Sequence, residues 1–128
     1  MNRFALYPGK FHPFHEGHAE MVAKGLDVFD AVCILVCDDD LDAAQTRADA
    51  INSIYEDHPR IAIATWSGLL VDFVSQNNFN AVIRGLRNTT DLQYEKDLLY
   101  NYEDMGLTIP FVYFMTSREK SHISGTMR

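Results

Sequence analysis

The stretch Phe4-Ala5-Leu6-Tyr7-Pro8-Gly9-Lys10-Phe11-His12-Pro13-Phe14-His15-Glu16-Gly17-His18 decides how this chain is read. Residues 4–7 are a short apolar run that predicts a first strand, and residues 19–26 beyond the stretch predict a helix. Between them lies a glycine-bearing loop with two imidazoles three residues apart, His15 and His18, at the helix start. The first backbone N–H groups of a helix have no intrahelical partner, and the helix dipole favours negative charge there. Side chains three apart share one side of the first turn, so both imidazoles can face the same anion. Gly17 is read as clearing room for a ligand that presses close to the backbone. Strand, glycine loop and helix start together predict a seat for phosphates, and so for a nucleotide.

The rest of the chain repeats the alternation. Apolar β-type runs at residues 4–7, 31–37, 61–65, 81–84 and 109–114 are separated by helix-like stretches at 17–26, 43–56, 68–76 and 91–105. The second run, Ala-Val-Cys-Ile-Leu-Val-Cys, is apolar throughout, as strands covered on both faces are. Gly106 is placed to stop the longest helix. Such alternation predicts an α/β protein: a single Rossmann-like domain over residues 1–128, with an open five-stranded parallel sheet flanked by helices. Ligands of such sheets bind beyond the carboxyl ends of the strands. The loops expected there are residues 8–15, 38–42, 66–67, 85–90 and 115–122, and the polar residues singled out below lie in or beside them.

Composition narrows the partners. The formal net charge of −7 argues against nucleic acid, which needs a basic face, but not against a small phosphorylated ligand that a few cations can hold. No long apolar run predicts a membrane span, and no signal-peptide pattern opens the chain. Cys33 and Cys37 fall on one face of the second strand, too far apart to bridge, and are read as buried thiols of a reduced, cytoplasmic protein.

Several residue groups carry chemistry. His12, His15 and His18 recur every third residue, but Pro13 interrupts the spacing, so phosphate contact by His15 and His18 is preferred to metal ligation. Lys10 lies in the same loop and can reach a phosphate as a point charge, or simply sit in water. Arg84-Gly85-Leu86-Arg87 ends the fourth run, two guanidiniums around what reads as a turn glycine. They suit phosphate oxygens, or else pair with Asp91 and Glu95 four residues apart on the next helix. The segment from Ser117 to Arg128 sets hydroxyls around Gly125 and can form an anion nest.

Together these residues resemble the HxGH nucleotidyltransferase superfamily. His15-Glu16-Gly17-His18 matches its first signature, and Ile123-Ser124-Gly125-Thr126-Met127-Arg128 its second. Tyr7-Pro8-Gly9, Ser67-Gly68-Leu69-Leu70-Val71-Asp72-Phe73 and Arg84-Gly85-Leu86-Arg87 with Asp91, Tyr94 and Glu95 look like the phosphopantetheine adenylyltransferase branch. The resemblance implies one adenylyltransferase domain that moves AMP from ATP to the phosphate of 4′-phosphopantetheine, with Mg2+ accompanying ATP, and a hexameric assembly. It implies His18, His15 and Lys10 as catalytic groups. It places Lys10, Phe11, His18, Gly85, Leu86, Arg87, Glu95, Ser121, Ser124, Gly125 and Thr126 against ATP, and Lys10, Leu69, Leu70 and Arg84 against the acceptor. No protein ligand to the metal is expected.

This chain departs from that branch in three places. The loop at residues 38–42 is short and acidic, Asp38-Asp39-Asp40-Leu41-Asp42, where the branch has a longer basic loop with a lysine for the acceptor phosphate. The first loop, with Lys10-Phe11, Pro13-Phe14 and two histidines, looks closer to the nicotinamide-mononucleotide enzymes; its Lys10 stands where the branch has Thr or Ser and is expected to supply the missing charge. The sequence stops at Arg128, where the branch continues into a helix. If the acidic loop faces the site it favours a cationic ring, which Trp66 or Phe11 would stack on. The alternatives are therefore a nicotinamide-mononucleotide adenylyltransferase and an inactive nucleotide-binding module.

Overall fold

The structure, a computed structural model, describes residues 2–117. In chain order the described residues form β1 (Phe4–Gly9), α1 (Glu16–Val28), β2 (Ala31–Cys37), α2 (Leu41–Ile54), β3 (Ile61–Trp66), α3 (Leu70–Gln76), β4 (Ala81–Leu86), α4 (Thr89–Asp104) and β5 (Phe111–Met115). Every neighbouring strand pair is parallel, and the sheet order is β3-β2-β1-β4-β5. The chain winds outward from the central β1 to β3, then returns to the other side of β1 for β4 and β5. The crevice between the carboxyl ends of β1 and β4 is thus the topological switch point, where sheets of this kind take ligands. No described helix is long and apolar enough to cross a membrane.

Side chains of each strand alternate between two cores, because successive Cβ atoms point to opposite sheet faces. Ala5 and Tyr7 of β1, Ile34 and Val36 of β2, and Ile83 of β4 pack with Met21 and Val22 of α1 and Ala44, Ala48 and Ile51 of α2. Leu6, Leu35 and Val82 point the other way, onto Leu70, Val71 and Val74 of α3. Cys33 and Cys37 both border this second core as free thiols. Burial pushes the Cys33 thiol up to about 11, so it is an inert, protonated packing group. On the first face α1 lies close to the sheet at Gly25, where a Cβ would stand 2.7 Å from Ile83 Cδ1.

Element boundaries follow from local hydrogen bonding. Helix α2 starts at Leu41, earlier than its apolar pattern, because the Asp40 carboxylate accepts from the backbone N–H groups of Asp42 and Ala43. The Asn88 side chain accepts from Asp91 N and starts α4 at Thr89. Helix α3 starts late, at Leu70, since Gly68 is held at φ +115°, a left-handed conformation outside any helix. Gly106, at φ +104° just past the cap of α4, ends that helix as expected. Gly85 is the correction. It is no turn glycine but lies inside β4, paired with Phe114, and a Cβ there would stand 2.9 Å from Met21 Sδ of α1. Its missing side chain lets α1 close on the sheet beside the crevice.

Candidate active site

Helix α1 begins at His15, whose backbone is extended, and the two imidazoles form its cap. His15 Nδ1 accepts from Gly17 N at 3.1 Å, and His18 Nδ1 accepts from His15 N at 3.0 Å. This is a capping box built from histidines in place of the usual hydroxyl and carboxylate. The rings stack with centroids 3.8 Å apart. Gly17 serves this arrangement and also lines the cavity described below: a Cβ would sit 2.9 Å from His15 Cε1.

The cap fixes the tautomers. A ring nitrogen that accepts from a backbone N–H carries no proton, so each neutral imidazole holds its proton on Nε2. Two Nε2–H donors are thereby fixed on rings that line one cavity. His18 is packed by Phe11 at 5.0 Å and Phe14 at 5.4 Å between centroids. Burial, reinforced by neighbouring His15, pushes its pKa down from 6.5 to about 4. At neutral pH it is an uncharged donor.

That shift sets a pH dependence of folding. Between pH 6.5 and about 4 the unfolded chain binds a proton that folded His18 refuses, so stability rises with pH across this window. The contribution is complete above pH 6.5 and is lost as the pH falls toward 4. Urea midpoints measured at pH 7.5 and pH 5 are expected to differ less in His18→Gln than in the parent chain.

The cavity, of about 370 Å³, occupies the β1–β4 switch point. Its wall combines the end of β1 and the loop through Phe11, the start of α1 with Met21, the end of β4, and Thr116 after β5. Lys10, Arg84 and Arg87 line it together with His15 and His18, and among the described residues no carboxylate does. A chain of net charge −7 thus gathers cations at one place. Arg84 is held by a two-pronged pair to Glu95, with Nε to Oε1 at 2.8 Å and Nη2 to Oε2 at 2.7 Å. Burial works against the Arg84 charge, but the Glu95 fork outweighs it and holds the guanidinium pKa above its ordinary value. Arg87 is half exposed, and Asp91 accepts from its backbone N at 2.9 Å and from its Nε at 3.4 Å.

The other expected site residues are placed as follows. Phe11 lines the wall at φ +55° and is 4% exposed, its ring lying against Gly9, Tyr7 and Phe14. Leu86 is buried and its carbonyl accepts from Thr116 N and Oγ1, at 2.9 and 3.0 Å. Glu95 is 5% exposed and lies behind Arg84 rather than on the wall. Leu70 is a core residue, Leu69 is exposed, and neither lines the cavity. Trp66 does not line it either: its indole N–H donates to Leu69 O at 2.9 Å and its ring packs on Phe73. Ser121, Ser124, Gly125 and Thr126 lie outside the described residues.

Three contributors escaped the sequence reading. Arg47 of α2 donates from Nε to Lys10 O at 2.8 Å and from Nη2 to Asp38 Oδ2 at 2.5 Å. That hydrogen bond holds the Asp38 carboxyl below the usual carboxylate range. The acidic loop therefore faces a cation of its own. The signal for Arg47 was its position three residues after Ala44 and four before Ile51, beside the apolar stripe of α2. Glu20 and Lys24 of α1 tie down the end of β5: Glu20 accepts from Ser117 N, and Lys24 Nζ donates to Met115 O. This brings Thr116 to the cavity, and no sequence pattern announces it.

A switch-point cavity with paired imidazole donors and several cations defines an α/β phosphate-handling fold. The sequence matches the cytidylyltransferase-like family over residues 6–128, and the chain belongs to that family. It is a nucleotidyltransferase. Among its relatives is a phosphopantetheine adenylyltransferase of Syntrophotalea carbinolica, 31% identical over 98% of this chain and 78% of its own length. Another, of Moorella thermoacetica, is 30% identical over 98% of this chain and 81% of its own length. The fold is shared with a lipopolysaccharide core biosynthesis protein of Thermoplasma volcanium, at TM-score 0.64 and 16% identity over 91% of this chain and 99% of that one. It is shared too with a bifunctional NMN adenylyltransferase/ADP ribose pyrophosphatase of Francisella tularensis, at TM-score 0.61 and 14% identity over 100% of this chain and 44% of that one.

Proposed function

We propose that this chain transfers AMP from ATP to the phosphate of 4′-phosphopantetheine. A phosphate oxygen of the acceptor attacks the α-phosphorus, the bond to the β-phosphate bridging oxygen breaks, and pyrophosphate leaves with that oxygen. The products are dephospho-coenzyme A and pyrophosphate. The observation that carries the reading is the cavity that His15, His18, Lys10, Arg84 and Arg87 line together, with no carboxylate among its described residues. Such a wall suits two anionic reactants that must be brought together against their own repulsion. The naming of relatives that align with nearly the whole chain supports phosphopantetheine as the acceptor.

In this reading His18 and His15 donate to phosphate oxygens as charge builds on them, and Lys10 lies between ATP and the acceptor. Arg84 meets the acceptor phosphate, while Gly85 and Arg87 face the nucleotide. Mg2+ would come with ATP, and among the described residues neither the wall nor any cluster of His, Cys, Asp and Glu offers it a protein ligand. Its ligands would be phosphate oxygens and water, and its contribution is to offset phosphate charge. No placed nucleophile is required, since the acceptor phosphate is itself the attacking group.

Pyrophosphate release from ATP and Mg2+ tests the reading, with 4′-phosphopantetheine, nicotinamide mononucleotide or no acceptor. Release only with phosphopantetheine is expected. Release with nicotinamide mononucleotide instead would transfer the assignment to a cationic acceptor, and release with neither would defeat both.

A further inference from the structure

The acidic loop that opens α2 raises a problem for an anionic acceptor, and Arg47 answers it. Asp38 follows β2 at the carboxyl rim of the sheet, and Lys10 follows β1 on the adjacent strand, where Gly9 registers with Val36. Arg47 reaches both from α2. Its Nε donates to the Lys10 carbonyl and its Nη2 to the Asp38 carboxylate, while Asp38 Oδ1 accepts from Asp40 N at 2.9 Å. The Arg47 side chain is mostly buried, 17% exposed, so it is held in one pose and not a freely moving surface charge. The segment it grips is conformationally costly: the next residue, Phe11, has φ +55°, which a bulky side chain adopts only when its surroundings impose it.

We infer that Arg47 is a positioning and specificity residue, cancelling the Asp38 charge and holding the Lys10 backbone so that this rim admits a phosphorylated acceptor. The inference rests on the acceptor reading above and adds the means by which an acidic loop is made compatible with it. The two tasks are inseparable in the structure, because one planar guanidinium performs both. With Arg47 removed, the Asp38 charge is opposed chiefly by Lys10, the cation that would otherwise meet the acceptor, and the Lys10 carbonyl loses its partner. A phosphate dianion approaching Lys10 would then meet a carboxylate, whereas the nucleotide, which in this reading is also held by Gly85 and Arg87 across the cavity, would be affected less.

The test compares Arg47→Met, Arg47→Lys and the double variant Arg47→Met/Asp38→Asn with the parent chain, by steady-state kinetics with ATP and 4′-phosphopantetheine. Arg47→Met is expected to raise the acceptor KM about tenfold while leaving kcat and the ATP KM within about twofold. Adding Asp38→Asn is expected to restore most of the acceptor KM, because it removes the charge that Arg47 opposed. Arg47→Lys, which keeps the charge but not the fork, is expected to fall between. An unchanged acceptor KM, a parallel rise in both KM values, or a double variant no better than Arg47→Met would overturn the inference with the acceptor reading intact. A parent chain that turns over ATP only with another acceptor would overturn the reading and this inference together.

Discussion

Replacing His18 with alanine is expected to lower kcat about 10²- to 10³-fold, with ATP binding changed only a few-fold. The size follows from what is lost: one fixed donor aimed at charge that develops in the transition state is worth roughly that factor. His18 is suited to this role by its environment. Its Nδ1 is committed to His15 N at 3.0 Å, which leaves the proton on Nε2, and burial keeps the ring neutral. A neutral donor draws on a ground-state triphosphate only modestly and strengthens its bond as the oxygens gain charge, so the loss falls on turnover. Single-turnover kinetics beside calorimetric ATP binding separate the two. Equal losses in binding and turnover would make His18 a ground-state contact, and no loss in either would remove it from the reaction. His18→Ala also strips half of the α1 capping box, at a cost of about 1 kcal/mol in stability. Thermal melting of the variant controls for that.

The largest effect on stability is expected at the Arg84–Glu95 pair. Glu95→Ala leaves a guanidinium 23% exposed, inside the cavity wall, without the carboxylate that meets it on two atoms. Breaking a pair of this kind costs about 3 kcal/mol, the lower end of the usual range, because cavity water still reaches Arg84. Urea denaturation of Glu95→Ala measures it. Replacing both members with apolar residues of similar volume, Arg84→Met with Glu95→Leu, is expected to recover most of that stability, since no charge is then left buried. A loss below about 1 kcal/mol in the single variant would mean that the pair is solvated and contributes as surface pairs do. The same pair explains an ambiguity in the sequence. Arginines after a strand and acids spaced four apart on the next helix read equally well as ligand contacts or as partners of one another. Arg84 pairs with Glu95 and still lines the cavity, so the pairing does not withdraw it from the wall.

Much of the fold was legible because its signals are local. Continuous apolar runs mark strands buried on both faces, and β2 occupies the residues its composition marks. The starts of α2 and α4 were placed about two residues late because a side chain supplies each cap. Asp40 and Asn88 extend α2 and α4 toward their N-termini by accepting backbone N–H groups. A cap depends on one rotamer, which hydrophobic periodicity does not record. Gly85 was misread for a related reason: a glycine after an arginine resembles a turn, yet here it is the contact between β4 and Met21 of α1. The aromatic residues fared worst. Trp66 and Phe11 looked available for stacking on a ring, and both are occupied, one by Phe73 and the Leu69 carbonyl, the other by Gly9 and Tyr7.

By itself the sequence determined the alternation of strands and helices, the parallel sheet it compels, and the imidazole pair at the first helix start. Each depends on residues within a few positions of one another, and patterns of that range survive in a linear string. Only the tertiary structure decided that β4 lies against β1, and hence that Lys10 and Arg84 share a cavity. It alone decided that Arg47, 37 residues from Lys10, holds that residue's carbonyl and offsets the charge of Asp38. Strand order and long-range ion pairs are set by how two apolar layers close over a sheet, where the partners are chosen by packing and not by spacing along the chain.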